Sequence, residues 1–317
     1  MLLPSTRIPL KIGTRGSPLA LAQAFETRRR LMTAHDIGED ACEIVIIKTT
    51  GDDRTLIAAD RPLKEIGNKG LFTKEIEEAM LAGDIDIAVH SAKDMPVEQP
   101  EGLVIDCYLP REDVRDAFVS PRYASVDDLP KGAVVGSSSL RRRAQLANRR
   151  PDLKLVELRG NVQTRLRKLD DGVAVATFLA MAGLNRLGLA GIAKGAIAPE
   201  VMLPAVAQGA IAIERRIDDE VTAALLAAIH DQPTGQRLAA ERAFLAALDG
   251  SCETPIAGLA LIEGDEIWLR GEILRPDGSE AIRGDIRCPV DEGAAAGTTL
   301  ARQLLARAPE GFFSWRN

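Results

Sequence analysis

Apolar and polar positions along the chain repeat one plan: a short apolar β-rich run, a loop of small residues, then an amphipathic helix. In "PLKIGTRGSPLALAQAFETRRRLM", Leu10 to Ile12 reads as a strand and Gly13 to Ser17 as a loop. Pro18 suits the first helical turn that follows. "ACEIVIIKTTGD" reads as a strand, and "KGLFTKEIEEAMLAGDIDIAVHSAKDMP" as a helix stopped at Gly83, a strand from Ile85 to Val89 and a loop. After "REDVRDAFVS" the plan recurs in "AVVGSSSLRRRAQL" and "KLVELRGNVQTRLRKL". "VAVATFLA" reads as a buried strand, "MAGLNRLGL" as a short helix and "LPAVAQGAIAIERR" as loop plus strand. Strands alternating with helices predict α/β architecture with parallel-rich sheets, whose ligands sit beyond the carboxyl ends of the strands. The tail differs. Asp218–His230 and Thr234–Leu248 read as helices, "GSCETPIAG" as a loop, residues 256–289 as an antiparallel hairpin or meander, and Asp291–Arg307 as a closing helix. That last part reads as a small α+β domain.

Composition narrows the classes. The 317 residues carry a net charge of −6, and only 3% are aromatic, which disfavours general nucleic-acid affinity and base stacking. No apolar run is long enough for a signal peptide or a membrane span, so the chain is expected in the cytoplasm. Cys42, Cys107, Cys252 and Cys288 form no CxxC pair, and there are three histidines, so neither a disulfide framework nor a metal site is expected. Arginine is unevenly placed: eight of the 30 fall between Arg141 and Arg167.

Polar clusters fall at predicted strand ends: Thr14 to Ser17, His90 to Asp94, Ser137 to Arg143 and Arg159 to Thr164. Three arginines at the start of a helix sit at the wrong end of its dipole. They make sense where an anion occupies that end, because free backbone N–H groups and guanidinium both bind carboxylate or phosphate. Taken singly, each arginine also reads as a solvated side chain or a partner of Asp or Glu. Asp94 suits acid–base work or the stabilisation of a cation, and equally a turn before Met95-Pro96. Cys42, Cys107 and Cys288 sit in or beside strand runs, as packing cysteines do. Cys252 sits in a loop, as a candidate nucleophile or attachment point.

The segments "IGTRGSPLALAQA", "GNKGLFTKEIEEAMLAGDIDIAVHSAKDMP", "REDVRDAFVS", "GSSSLRRRAQL", "LRGNVQTRL", "AGLNRLGL", "LPAVAQGAIAIE" and "ERAFLAALDGSCETPIAG" occur in this order. Together they resemble the porphobilinogen deaminase (hydroxymethylbilane synthase) family. The resemblance implies two lobes like type II periplasmic binding proteins with a cleft between them, plus a small C-terminal α+β domain. It places the first domain at residues 1–109 plus 210–228, the second at 110–209 and the third at 229–317. It implies a dipyrromethane cofactor, assembled from substrate and held by thioether on Cys252. Four porphobilinogens are then joined head to tail with loss of ammonia, and water frees hydroxymethylbilane.

The same resemblance makes Asp94 the catalytic carboxylate. Asp94, Lys93, Ser139, Arg141 and Arg142 fall on cofactor-binding positions with Cys252, and Arg15, Ser17, Arg159, Arg165, Arg186 and Gln208 on substrate-binding ones. Lys69, Gly70 and Phe72 fall in a mobile segment expected to cover the cleft, with Phe72 near the growing chain. Arg143 lies outside the set and is expected to be structural. A six-ring chain carrying twelve carboxylates would account for the arginines. The resemblance further implies a monomer whose product passes to uroporphyrinogen III synthase. Two positions depart from the family pattern. Val175 stands where an acid is usual, which predicts a lost polar contact. Ala207 stands where Gly is usual and demands a more ordinary backbone, so the loop there is expected to differ slightly. The competing reading is a non-catalytic cytosolic polyanion-binding module of the same fold. A nucleic-acid role is weaker, since no recognised motif supports it.

Overall fold

The computed structural model describes residues 3–5, 7–50, 73–250 and 254–314. Among these, the chain forms two compact units. One takes the chain to Glu112 and Gly209–Gly235; the other takes Asp113–Gln208 and the chain from Gln236 onward.

The first unit is built on a five-stranded sheet. Strands β1 (Leu10–Thr14), β2 (Cys42–Ile46) and β3 (Ile87–Ser91) run parallel, in the order β2-β1-β3. The sheet also holds β4 (Leu103–Tyr108) and a strand from far along the chain, Ile211–Arg216, which lies between β3 and β4 and is antiparallel to both. Helix α1 (Pro18–His35) starts where the sequence predicts. Ser17 Oγ accepts the Ala20 N–H at 3.3 Å, and Pro18 occupies the first turn. Ala20, Gln23, Ala24, Thr27 and Leu31 fall on its buried face, as helical spacing dictates. Leu31 joins Ile12, Ile87, Val89, Ile211 and Ile213 in one core cluster. Helix α2 (Lys74–Leu81) contributes Ile76 and Met80 to another, with Ile85 and Leu103.

The second unit repeats that sheet order. Strands β6 (Val134–Gly136), β7 (Lys154–Val156) and β8 (Ala176–Ala180) are parallel in the order β7-β6-β8. The strand β5 (Asp116–Val119) is antiparallel between β8 and β9 (Gly195–Ile197). Helices α3 (Leu140–Arg149), α4 (Val162–Asp170) and α5 (Met181–Arg186) follow β6, β7 and β8 in turn. The late strand of the first sheet is β10, and it leads into α6 (Glu220–Ala227) and α7 (Gln232–Ala247). The meander predicted for the tail is the antiparallel sheet β11 (Ile256–Glu263), β12 (Glu266–Leu274), β13 (Ala281–Pro289), packed against α8 (Gly293–Arg307).

Buried contacts join the tail to the rest of the second unit and close its own helices together. Glu241 on α7 is fully buried; its Oε1 accepts the Ala260 N–H at 2.8 Å and its Oε2 the Ala207 N–H at 2.7 Å. Helices α7 and α8 meet backbone to backbone at Gly297, where a Cβ would lie 2.2 Å from Ala240 O and 2.9 Å from Phe244 N. Backbone on both sides cannot yield as a side-chain tip can. Gly297→Ala should therefore destabilise the chain by about 1–3 kcal/mol, read as a lowered thermal unfolding midpoint. An unchanged midpoint would contradict this close approach.

Candidate functional site

In the first unit, β1 and β3 are adjacent parallel strands, so the loops after them lie at one end of the sheet. The loop after β1 carries Arg15 and the N-cap Ser17, both half-buried. The turn after β3, Ala92–Asp94, carries half-buried Lys93 and exposed Asp94. Arg15, Ser17, Lys93 and Asp94 are thus brought to one sheet end. Gln23 on α1 and Ser91 at the end of β3 exchange hydrogen bonds of 2.9 and 3.2 Å and tie helix to strand. Sequence reasoning missed Gln23 because it sits among apolar helix positions. His90, grouped in the sequence with Asp94, lies inside instead. It belongs to β3, and its Nε2 stands 3.2 Å from buried Glu214 Oε2 on β10.

In the second unit the carboxyl ends of β6, β7 and β8 gather the remaining basic residues. Ser139 caps α3, and Asn161 caps α4 through a 2.9 Å bond from the Thr164 N–H. Arg159 is half-buried just before that cap. Arg165 donates from Nε to Gly160 O at 2.8 Å, and its Nη2 lies 3.5 Å from Ser138 Oγ. Half-buried Arg186 ends α5.

Arg141 and Arg142 are the surprise: both are buried and both are paired with Asp116, which is wholly excluded from solvent. Arg142 donates from Nε and Nη2 to Asp116 Oδ1 at 3.1 and 2.7 Å, and from Nη1 to Phe178 O at 2.8 Å. Arg141 Nη1 lies 2.8 Å from Asp116 Oδ2 and donates to Leu203 O at 2.9 Å. Gln208, also fully buried, donates from Nε2 to Asp116 Oδ1 at 2.9 Å and to Val114 O at 2.8 Å. The structure therefore sets Gln208 behind the arginines. Burial disfavours the Asp116 carboxylate, but Arg141 and Arg142 outweigh it and hold the carboxyl well below the usual aspartate range. Arg143 pairs with Glu157 at 3.0 Å near the surface, as a structural arginine does.

Ala207 corrects an expectation. It does not take an ordinary backbone but the left-handed one, φ 61°, at a cost of about 1–3 kcal/mol. Its N–H is the one Glu241 holds. Val175 packs against the apolar cluster of Phe118, Val135 and Phe178, and its carbonyl accepts the Ser120 hydroxyl. Cys42, Cys107 and Cys288 are buried free thiols, and burial pushes Cys107 up to about 12. Cys252, Lys69, Gly70 and Phe72 lie outside the described residues. Among the described residues no cluster of His, Cys, Asp or Glu is placed to hold a metal ion, and no helix is long and apolar enough to cross a membrane.

The Asp116 pairing predicts an acid-side signature. A carboxyl depressed on folding stabilises the fold above the unfolded value of about 3.9, and that contribution is lost as pH falls through the folded value. Urea stability of the wild type should drop steadily below about pH 4. Asp116→Asn should be less stable at neutral pH by about 3–5 kcal/mol and fall less steeply in acid. Equal acid slopes would contradict the pairing.

Two family models match: "Porphobilinogen deaminase, dipyromethane cofactor binding domain" over residues 10–224, and "Porphobilinogen deaminase, C-terminal domain" over residues 236–306. The chain is 69% identical to the porphobilinogen deaminase of Paracoccus denitrificans over 313 residues, covering 99% of each chain. It is 53% identical to that of Nitrobacter hamburgensis over 309 residues, covering 98% of this chain and 96% of the relative. Among solved structures it is similar to the methionine-binding protein MetQ, at 15% identity and a TM-score of 0.43, over 71% of this chain and 91% of that one. With family models spanning both the cofactor-binding region and the C-terminal region, the chain belongs to the porphobilinogen deaminase family.

Proposed function

We propose that Asp94 is the charge-stabilising carboxylate of this enzyme and Cys252 the attachment point of its dipyrromethane. The reaction is the family's head-to-tail polymerisation of porphobilinogen with release of ammonia. Membership of that family favours the transferase over a non-catalytic polyanion binder. The residues on hand suit the cofactor's acetate and propionate groups. Arg141 and Arg142 share one carboxylate, so the buried cluster carries excess positive charge, and Arg141 Nε is buried without a partner among the described residues. Lys93, Ser139, Arg141 and Arg142 would hold the group, which when bound supplies a nucleophilic pyrrole carbon as primer.

The observation that carries the assignment of Asp94 is its exposure on the loop after β3, at the sheet end that also presents Arg15 and Ser17. Loss of ammonia turns porphobilinogen into a cationic azafulvene. A carboxylate held near the pyrrole N–H favours that cation more than it favours the neutral substrate, which lowers the barrier. Arg15 and the α1 N-terminus offer donors for substrate carboxylates. Arg159, Arg165, Arg186 and the α4 N-terminus offer the same for the lengthening chain, with Gln208 acting through Asp116. Lys69 and Phe72 complete the substrate set. In this reading residues 1–109 plus 210–228, 110–209 and 229–317 are the three functional domains. The enzyme works as a cytoplasmic monomer and passes its product to uroporphyrinogen III synthase.

Intact mass under denaturing conditions tests the attachment. The wild type should carry a two-pyrrole increment, gained on incubation with porphobilinogen if absent at first, and Cys252→Ala should not. An increment retained on Cys252→Ala would move the attachment elsewhere. Asp94→Ala should fold normally and release ammonia at least about 100-fold more slowly; near-normal release would remove Asp94 from its role. Arg15→Ala should raise the KM for porphobilinogen by on the order of tenfold, and an unchanged KM would contradict carboxylate binding there.

A further inference from the structure

We infer that Asp116 is a positioning residue for anion recognition: it fixes the guanidinium planes of Arg141 and Arg142, and Gln208 fixes Asp116. The inference rests on the functional reading above and deepens it with the means by which Asp116 and Gln208 act. Asp116 is wholly buried, so its influence on a ligand passes through the arginines. Each guanidinium is anchored on two sides, by Asp116 and by a main-chain carbonyl, Phe178 O for Arg142 and Leu203 O for Arg141. Two anchors define a plane. A guanidinium has five N–H donors, and Arg142 commits three of its groups to these anchors, so N–H bonds remain for an incoming carboxylate.

The charge count points the same way. With no carboxylate, two buried guanidiniums would repel each other and burial would act against both. With two carboxylates, the pair would be neutral and would hold little attraction for a ligand. One carboxylate on two guanidiniums leaves one positive charge in excess. Glu272, the other acid acting on Arg141, is paired with Arg283 and does not alter that excess. Gln208 completes the device without adding charge: its amide bonds Asp116 Oδ1 and Val114 O and keeps the carboxylate from rotating toward either arginine.

The test uses the full chain and porphobilinogen itself as probe. Apoenzyme is incubated with porphobilinogen, and uptake of the two-pyrrole mass is followed by denaturing mass spectrometry; steady-state kinetics follow on the loaded protein. Asp116→Asn should take up the increment at least about tenfold more slowly than wild type. Gln208→Met keeps all charges and both ion pairs, so it separates positioning from folding. It should fold, load slowly, and show a KM raised by about tenfold with kcat changed by less than about threefold. Should Asp116→Asn fail to fold, Gln208→Met decides alone. Wild-type loading and KM in Gln208→Met, or a loss of kcat without a rise in KM, would overturn the inference. A wild type that never acquires the increment would instead overturn the functional reading, so the two failures are told apart.

Discussion

A carboxylate shut away from water with two guanidiniums governs how the second unit is built. An ion buried alone would not stay charged, so Asp116 and its arginines exist as a set or not at all. That requirement fixes where β5 begins, which turn opens α3, and how the chain before β10 must run to deliver Gln208. It also explains cations at the positive end of a helix. The dipole penalty for such a charge is about 0.3–1 kcal/mol, while breaking a buried pair costs about 3–5 kcal/mol. Pairing wins, and the α3 start becomes a place where positive charge is stored.

The two five-stranded sheets reach one arrangement from different stretches of chain. In each, three parallel strands lie beside an antiparallel fourth, with a fifth strand beyond it. The polar side chains at their strand ends differ. The first sheet presents an exposed acid, Asp94, with a lysine and an arginine on the same end. The second presents arginines and helix N-termini.

Much of this was legible in the sequence because it is local. Alternating apolar runs and the Ser17-Pro18 helix start are set by neighbours in the chain. The loop clusters around Asp94 and Arg159 were visible for the same reason. Asp116 was not, since "VRDAFV" reads as a strand with a polar entry, and its partners stand 25, 26 and 92 positions away. The burial of Gln208 against Asp116 and Val114 was equally hidden, since both partners lie more than ninety positions back. Ala207 shows tertiary structure overriding local preference: Glu241, 34 positions on, holds an alanine where glycine is easier. Strands of three residues such as β9 leave too little periodicity to detect.

The place of β10 in the first sheet bears on how the chain comes into being. That strand separates β3 from β4, yet it is synthesised only after the whole run Asp113–Gln208. An emerging chain therefore holds β1 to β4 with a gap between β3 and β4, while β5 to β9 already have every neighbour they need. Long-range pairing of this kind is slow because loop closure precedes any reward. The sheet that starts first on the ribosome is thus completed after the one that starts second, and its half-made form, with the open edges of β3 and β4, is the stretch most in need of protection from aggregation during synthesis.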